Sequence, residues 1–469
     1  MLLSDLDDLE DILSTLVFED EPSIFNEEYA IELVETALHL MDDFVSSNPH
    51  IISEPDFQDI LLEEIKDIFY IQMEDHIEEL YNGDDIEDDM NDLLQDAFYI
   101  FISTFYPDKL QNNHLFEYQE FNEEEFDLME KKIQSLREIP QPEQRTPEWY
   151  KFRWNLITAS NAWKAFESQS AINQLIYEKC QPLKDLNSET VEEELVKMVN
   201  VNTPLHWGQK YEPLSVLLYE RNYKTKVEDF GCIKHSNYTF LGASPDGIIT
   251  NKESDRYGRM LEIKNVVSRE INGIPKKEYW TQMQLQMEVC DLDECDFLET
   301  KFIEYPDTQS FYNDTFTDIN SNKNVTLSID NKDKGIILYF HTKDGKPFYV
   351  YKPLNITTSE GITSWEEREL EKYESAPYNY IFLKFIYWKL EVLSCVLVLR
   401  NREWFKNNIV QLEKVWKTIE EERVSGYEHR APKKSSKKEP FKPYVSSKNE
   451  NQGCLLKFNK IIKVDTKDI

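Results

Sequence analysis

The chain has 469 residues, of which 40% are hydrophobic and 13% aromatic, and this length allows two or three domains with a sizeable core. No apolar run is long enough to cross a bilayer, and the acidic start MLLSDLDDLED is unlike a targeting segment, so we expect a soluble, intracellular protein. The six cysteines form no Cys-x-x-Cys pair, which indicates reduced thiols and argues against zinc or iron–sulfur spacing.

The formal net charge of −37 is distributed very unevenly along the chain. Residues 1–100 contain 31 Asp or Glu and a single Lys, a net charge of −30. From Arg430 to the end there are 11 basic and 4 acidic residues, a net charge of +7. The overall acidity is therefore no argument against a nucleic-acid partner for the rest of the chain.

Residues 1–135 are predicted to form an acidic helical domain. Leu33, Ala37, Leu40 and Phe44 keep helical spacing, and Asn82-Gly83-Asp84 separates two helical segments. One interpretation is a solvated bundle whose acidity aids solubility. Another is a surface that imitates the charge of DNA or docks a basic partner. We favour the first, because acidity alone specifies no shape.

A Pro-containing linker leads into a second predicted domain over residues 136–425, followed by a basic, disordered tail over 426–469. Within the second domain, residues 307–334 are predicted to be a polar insertion or loop. The other predicted elements are a helix, turn and helix over 145–166, a helix opened by residues 207–212, a strand over 232–241, a helix over 278–290, a strand over 297–302, a hairpin around 344–345, a strand within 387–399 and a closing amphipathic helix.

The stretch from Gly242 to Asn265 carries the strongest chemical signal. Asp246 lies in a Ser-Pro-Asp-Gly turn, and Glu262 and Lys264 follow on a short apolar segment suited to a strand. Alternate residues of a strand share a face, so Glu262 and Lys264 are expected to point together. Two carboxylates and an ammonium on adjacent strands suit a hard cation with a water beside it. Taken alone, Glu-x-Lys more often marks a solvated face.

Other polar residues around this stretch have weaker individual signals. Thr158 and Ser160 are N-cap candidates, and a helix N-terminus with a hydroxyl and the nearby Arg153 would suit a phosphate. Taken by itself, this signal favours an ordinary cap with a surface Arg. Glu212 falls in the first turns of a helix and is expected to lean toward the sheet. Gln282 shares one side of the following helix with Tyr279 and Gln286.

Five short motifs follow one another along the chain. They are Trp149 with Arg153 and Ile157-Thr158-Ala159-Ser160, Trp207-Gly208 through Tyr211-Glu212, Ser244-Pro245-Asp246-Gly247, Leu261-Glu262-Ile263-Lys264, and Tyr279 with Gln282-Met283-Gln284. Together and in this order they resemble the lambda-exonuclease-like branch of the PD-(D/E)XK nucleases, called YqaJ viral recombinases. The resemblance covers roughly residues 146–305 and implies an α/β (α+β) fold, with a restriction-endonuclease-like core of a central mixed sheet flanked by helices. The acidic region would be an extra all-α N-terminal domain.

The resemblance implies a metal site. Asp246, Glu262 and the carbonyl of Ile263 would bind Mg²⁺, with Mn²⁺ as a substitute, and Glu212 would complete the acidic site directly or through water. Related CRISPR-associated RecB-like nucleases carry a four-cysteine iron–sulfur cluster. The cysteines of this chain lack that spacing, so no such cluster is expected.

The resemblance also implies roles in proton transfer and phosphate binding. Lys264 would position the attacking water and help to deprotonate it, and Gln282 would orient that water or support the site. Arg153 and Ser160 would hold a DNA phosphate, which in the family is the terminal 5′ phosphate.

The expected function is that of a Mg²⁺-dependent deoxyribonuclease acting on double-stranded DNA ends, as a 5′-to-3′ exonuclease in viral recombination, repair or defence against foreign DNA. The alternatives are an endonuclease of the same fold and a catalytically silent DNA-binding or regulatory scaffold. Expected partners are a second or third copy of the chain and a single-strand-annealing protein or helicase, with no membrane. The abundance of Asn, Lys, Asp and Ile resembles proteins of large AT-rich DNA viruses, which implies the host cytoplasm or a viral factory.

Overall fold

The structure, a computed structural model, describes residues 25, 27–80, 85–105, 123–142, 146–183, 201, 203–317 and 323–432. The helices are α1 (Glu27–Ser47), α2 (Phe57–Leu80), α3 (Asp85–Phe105), α4 (Glu123–Glu138), α5 (Pro147–Trp154), α6 (Ala159–Ala162), α7 (Gln169–Cys180), α8 (Pro204–Tyr223), α9 (Lys277–Cys290), α10 (Thr308–Asn313), α11 (Ser359–Glu374) and α12 (Arg402–Ser425). Short 3₁₀ turns cover Pro49–Ser53, Trp163–Phe166 and Glu428–Arg430.

The strands belong to one large mixed sheet and two small ones. They are β1 (Ile157–Thr158), β2 (Val227–Glu228), β3 (Ile233–Lys234), β4 (Leu241–Ala243), β5 (Gly247–Ile249), β6 (Met260–Asn265), β7 (Glu294–Glu304), β8 (Phe316–Thr317), β9 (Lys323–Asn324), β10 (Lys334–His341), β11 (Pro347–Tyr351) and β12 (Ile381–Leu399). The large sheet has the order β11-β10-β12-β7-β6-β5-β2, in which only β6 and β7 are parallel to each other.

Helices cover both faces of this sheet, which confirms the predicted fold class. Leu261 and Ile263 of β6 pack with Tyr219 of α8 on one face. Met260 of the same strand packs with Met283 of α9 on the other. Helix α12 adds its buried stripe to the α9 side, where β1, β4 and β3 form a small three-stranded sheet. Adjacent residues of β6 thus serve opposite faces, as a strand covered on both sides requires.

The N-terminal helices α1, α2 and α3 pack on each other around a core of their own. Leu33, Ala37 and Met41 of α1 are buried there, one helical turn apart, with Ile65 of α2 and Phe101 of α3 among their neighbours. This region meets the sheet through the 3₁₀ turn after α1, which contacts β12.

That contact lies at the end of the sheet where β6 begins. Asn401, between β12 and α12, donates a hydrogen bond from Nδ2 to Oε1 of Glu54 (3.3 Å). The end of β12 pairs with the start of β7, Leu399 opposite Glu294, and the start of β7 pairs with the start of β6. The acidic helices therefore approach the sheet at the end opposite to Lys264.

Several local predictions can be compared with the described residues. The hairpin around Gly345 is confirmed as β10 and β11, and Gly345 adopts a φ of 76°, which favours glycine. The single strand predicted over 232–241 is wrong, because the chain reverses between β3 and β4, which pair antiparallel. In the polar stretch 307–334, the described residues form α10, the ribbon β8–β9 and the first residue of β10.

Two calls fall largely outside the described residues. Residues 81–84, which contain the Asn82-Gly83-Asp84 break, are not among them, nor are residues 433–469 of the basic tail. Helix α12 ends at Ser425, where that tail was predicted to begin. No helix in the described ranges is both long and apolar enough to cross a membrane.

Candidate active site

Strand β6 presents Glu262 and Lys264 together on the face covered by α9. Leu261 and Ile263 alternate with them and are buried under α8. The Nζ of Lys264 contacts Oε1 of Glu262 directly, and the Lys264 side chain remains 24% exposed while that of Glu262 is 1% exposed. The structure therefore places a buried carboxylate behind a partly accessible ammonium, as the alternation of the sequence predicts.

Two glutamines of α9 fix the carboxylate of Glu262. Gln282 donates from Nε2 to Oε1 (2.7 Å), and Gln286, one turn later, donates from Nε2 to Oε2 (2.8 Å). Gln286 also donates to the backbone oxygen of Ser244 (3.2 Å), so it joins β6 to the turn that carries Asp246. With both oxygens held, Glu262 has one orientation toward the cavity.

Asp246 is tied to the same strand through the backbone. Its Oδ2 accepts a hydrogen bond from the amide of Ile263 (2.7 Å), and the Asp246 amide donates to the carbonyl of Leu261 (3.1 Å). Burial and the charge of the neighbouring Glu262 raise the pKa of Asp246 well above its usual value, with Glu212 acting in the same direction. Several negative charges are thus held close together, and a bound cation would relieve their repulsion.

Lys264 stands between these carboxylates and the entrance. Burial alone would lower its pKa, but Glu262 and Asp246 outweigh burial and raise the pKa above its usual value. The Nζ also lies 3.5 Å from Oε1 of Gln282 and 4.9 Å from the centre of the Tyr279 ring. With these carboxylates charged, Lys264 is an ammonium that can donate hydrogen bonds to a water or a phosphoryl oxygen.

Glu212 reaches the site from the first half of α8. It is exposed and lines the same cavity as Asp246 and Glu262. A polar cluster fastens this part of α8 to the end of β6: Asn265 Nδ2 donates to the carbonyl of Gly208 (3.0 Å), and the hydroxyl of Ser215 donates to Asn265 Oδ1 (2.7 Å). These contacts fix the position of α8, and hence that of Glu212, relative to β6.

Arg153 lines the same cavity from the end of α5. Its guanidinium stands 4.6 Å above the ring of Trp149, and its nitrogens lie 3.5 Å from each of the hydroxyls of Ser160, Thr158 and Ser244. Bonds of that length are weak, so the guanidinium keeps donor capacity for a stronger acceptor. Ser160 is exposed, and its hydroxyl lies beside the guanidinium of Arg153.

The predicted site residues converge on one cavity of about 300 Å³. Glu212, Asp246, Glu262, Ile263, Lys264, Gln282, Arg153 and Ser160 all line it. Among the described residues that form its wall, none comes from α1, α2 or α3.

Sequence reasoning assigned no role to two further residues of the cavity wall. Gln286 was placed on the same side of its helix as Gln282, but the bond to Glu262 depends on the distance between α9 and β6. Asp229 is a fourth carboxylate at the cavity, and its pKa is raised because the carboxyl group is partly desolvated. It lies in an irregular segment after β2 without a recognisable motif. Neither the bond from Gln286 to Glu262 nor the position of Asp229 at the cavity could be inferred from spacing along the chain.

The donor set fits Mg²⁺ by its chemistry. Within the described ranges, no three Asp, Glu, His or Cys side chains are close enough to enclose a metal ion by themselves. Mg²⁺, however, is commonly held by one or two carboxylates and completes its shell with water and substrate phosphates. Asp246 and Glu262 supply the two carboxylates, and Ile263 and Glu212 line the same cavity.

Comparisons with known proteins agree with the motifs. Residues 148–293 match the family model of the YqaJ-like viral recombinase domain, which confirms the resemblance inferred from the sequence. An uncharacterized protein of Acanthamoeba polyphaga mimivirus is 29% identical over 338 residues, which is 66% of this chain and 58% of that protein, so the alignment spans little more than half of the relative.

Two solved structures of an alkaline exonuclease from Laribacter hongkongensis also match. Its crystal structure is 16% identical, with a TM-score of 0.30, and its complex with dAMP is 17% identical, with a TM-score of 0.31. Each match covers 61% of this chain and 95% of the bacterial one.

Proposed function

We propose that this chain, which carries a YqaJ-like viral recombinase domain over residues 148–293, is a Mg²⁺-dependent nuclease that hydrolyses double-stranded DNA from its ends in the 5′-to-3′ direction. The observation that carries the proposal is the joint lining of one cavity by an acidic cluster, an ammonium and a separate guanidinium with hydroxyls. An acidic cluster beside an ammonium suits hydrolysis, and the guanidinium suits a phosphate that is held but not cut.

The acidic cluster would hold the metal through Asp246, Glu262 and the carbonyl of Ile263. A bound Mg²⁺ supplies Lewis-acid stabilisation of the phosphoryl oxygens and lowers the pKa of a coordinated water. The protein fixes the geometry: Gln282 and Gln286 hold both oxygens of Glu262, and the amide of Ile263 holds Asp246. These contacts are formed before substrate arrives, so little reorganisation is needed during the reaction.

Lys264 and Gln282 act on the water and the scissile phosphate. The Lys264 ammonium, next to Glu262, can orient a water by hydrogen bonding and offset negative charge on the phosphoryl group. Neutralisation of the two carboxylates by a cation would remove the interactions that raise the pKa of Lys264, which brings its amine closer to accepting a proton. Gln282 contacts both Lys264 and Glu262 and holds the two side chains in a fixed relative position.

Arg153 and Ser160 set which end of the DNA enters. A terminal phosphate carries more charge than an internal one and has more acceptor oxygens, so it gains most from a guanidinium supported by hydroxyls. Exonuclease action follows if the terminal 5′ phosphate occupies this place while the next linkage lies at the acidic cluster. Direct contact between the duplex and the acidic N-terminal helices is not required, since those helices do not contribute to the described cavity wall.

The test uses purified full-length chain with Mg²⁺ and three substrates of one sequence: linear duplex with 5′ phosphates, linear duplex with 5′ hydroxyls, and closed circular duplex. We expect degradation of linear DNA from its 5′ ends, faster with 5′ phosphates, and an intact circle. In the Arg153→Ala variant the preference for 5′ phosphates should disappear. Nicked circles would instead show an endonuclease, and no cleavage of any substrate would refute the nuclease proposal.

A further inference from the structure

A second cavity, of about 290 Å³, opens on the α8 face of the large sheet, close to the range of volumes that small ligands occupy. It is formed where the start of α8 meets strands β10, β11 and β12 and the end of β7. Its wall includes Trp207, Lys210, Glu304, Tyr339, Tyr349 and Lys384.

Aromatic rings make up much of this wall. Tyr339 and Tyr349 pair across β10 and β11 with ring centres 4.9 Å apart and planes at 26°. The hydroxyl of Tyr349 is 2.6 Å from Nε2 of His206, which fixes its position. Val267, at the rim, is 47% exposed. Flat rings held in place beside an exposed apolar side chain suit stacking of a planar ligand such as a nucleobase.

The charged groups of the cavity favour an anion. Lys210 and Lys384 both line it, against the single carboxylate of Glu304, which contacts Lys210 Nζ. Lys384 is exposed, and its ammonium adds positive charge at the entrance.

Both cavities are lined by residues of α8 and by residues in or just after β6. Lys210 and Glu212 lie two residues apart on α8, and Val267 follows Lys264 by three residues. Consecutive Cα atoms are about 3.8 Å apart, so the Cα atoms of Val267 and Lys264 are separated by at most about 11 Å. Asn265, between them, is bonded to Gly208 of the same helix. A DNA end held at the first cavity would thus bring nucleotides within reach of the second.

We propose that the second cavity binds an unpaired nucleotide of single-stranded DNA, with its base against the aromatic wall and its phosphate beside Lys210 and Lys384. The source of that nucleotide rests on the proposed function: it would be the end of the strand that is not being cut. The binding itself needs neither a metal ion nor cleavage. Holding that strand apart would keep the other strand's end unpaired at the acidic cluster.

The experiment measures binding of a fluorescein-labelled hexathymidylate to the full-length chain in EDTA, by fluorescence anisotropy. The variant is Lys384→Glu, and Lys343→Glu, an exposed lysine in the β10–β11 turn outside the cavity wall, is the matched control. We expect Lys384→Glu to weaken binding at least about fivefold and the control less than about twofold. Equal effects of the two variants, or no binding by the unmodified chain, would overturn the proposal.

A second measurement locates the base directly. Photocrosslinking of the same oligonucleotide with 5-iodouracil in one position should modify Trp207, Tyr339 or Tyr349, as mapped by peptide mass spectrometry. Crosslinks confined to residues of the first cavity would overturn the proposal. Cleavage of linear duplex by the same preparation is recorded in parallel. Failure of oligonucleotide binding with intact cleavage refutes only this inference, whereas binding without cleavage refutes only the nuclease proposal.

Discussion

Two buried charge clusters lie on opposite faces of strands β6 and β7, and they differ in accessibility. Glu262 and Lys264 face α9 and border a cavity. Asp296 of β7 pairs in register with Leu261 of β6 and faces α8, where the hydroxyl of Tyr219 donates to it (2.5 Å). Asp296 is 0% exposed, and no cavity described above includes it.

The two clusters also differ in charge balance. Asp296 accepts from Arg256 and from Nη1 of Arg259 (3.1 Å), and Arg259 also contacts Glu294 (2.8 Å). Two guanidinium groups therefore meet two carboxylates. On the other face, Asp246, Glu262 and the nearby Glu212 outnumber the single ammonium of Lys264, and the pKa of Asp246 rises as a result of burial and these charges. A balanced cluster stabilises the fold, while an unbalanced one beside a cavity is suited to bind a cation.

The largest expected effect is on the rate of cleavage, and it is expected only for the cluster that contains Asp246, Glu262 and Lys264. Lys264→Ala and, separately, Asp246→Asn should slow cleavage of linear duplex by a factor of about 10² to 10⁴ or more, because each removes a group that acts on the water or the metal. Binding of the duplex, measured in EDTA, should change little. Near-normal turnover by either variant in Mg²⁺ would rule out this site.

Metal binding at this site can also be tested without measuring activity, from the melting temperature. A ligand that binds only the folded state raises the melting temperature, so Mg²⁺ should raise it for the unmodified chain and much less for Asp246→Asn. An equal rise in both proteins would place the metal elsewhere.

The proximity of Glu262 and Lys264 could be predicted from the sequence, whereas the cluster of Asp296 with Arg256 and Arg259 could not. Glu262 and Lys264 are two residues apart, so the geometry of one strand brings them together. Arg256 and Arg259 stand just before the same strand, but their partner Asp296 is reached only through the parallel pairing of β6 with β7. Sequence alone does not show the register of such a pairing.

The same limit explains the other features that were missed. The reversal between β3 and β4 is held by His235, whose Nδ1 accepts hydrogen bonds from the amides of Asn237 (3.0 Å) and Tyr238 (3.2 Å), and the pairing of the two strands does not show in the sequence. The second cavity likewise joins Trp207 to Lys384 across several strands. By contrast, the mixed sheet with helices on both faces was implied by the family resemblance.

The next effect in size is on stability. Asp296→Asn removes the carboxylate shared by two buried guanidinium groups, and breaking such a buried cluster typically costs about 3–5 kcal/mol. We expect a loss of that size in the free energy of unfolding, measured by urea denaturation, with turnover nearly unchanged at a temperature where the variant is folded. A loss below about 1 kcal/mol, or a selective loss of turnover, would contradict the structural role given to this cluster.

The smallest expected effect concerns Gln286, which acts on the site through Glu262 and through the turn that carries Asp246. Gln286→Leu removes the hydrogen bonds to Glu262 and Ser244, and hydrogen bonds to charged groups contribute about 1.5–3 kcal/mol. Part of that free energy holds Glu262 in place, so kcat should fall about tenfold while KM changes little.

Gln284→Leu is the matched control for this last prediction, because Gln284 lies on the same helix, is equally buried, and bonds instead to the backbone of Leu399 and Asn401. Both variants should lose stability to a similar extent, since each removes buried hydrogen bonds of one glutamine. Only Gln286→Leu should lower kcat and weaken the Mg²⁺-dependent rise in melting temperature. If the two variants lower kcat equally, Gln286 serves only to pack α9 against the sheet, and the orientation of Glu262 depends on Gln282 alone.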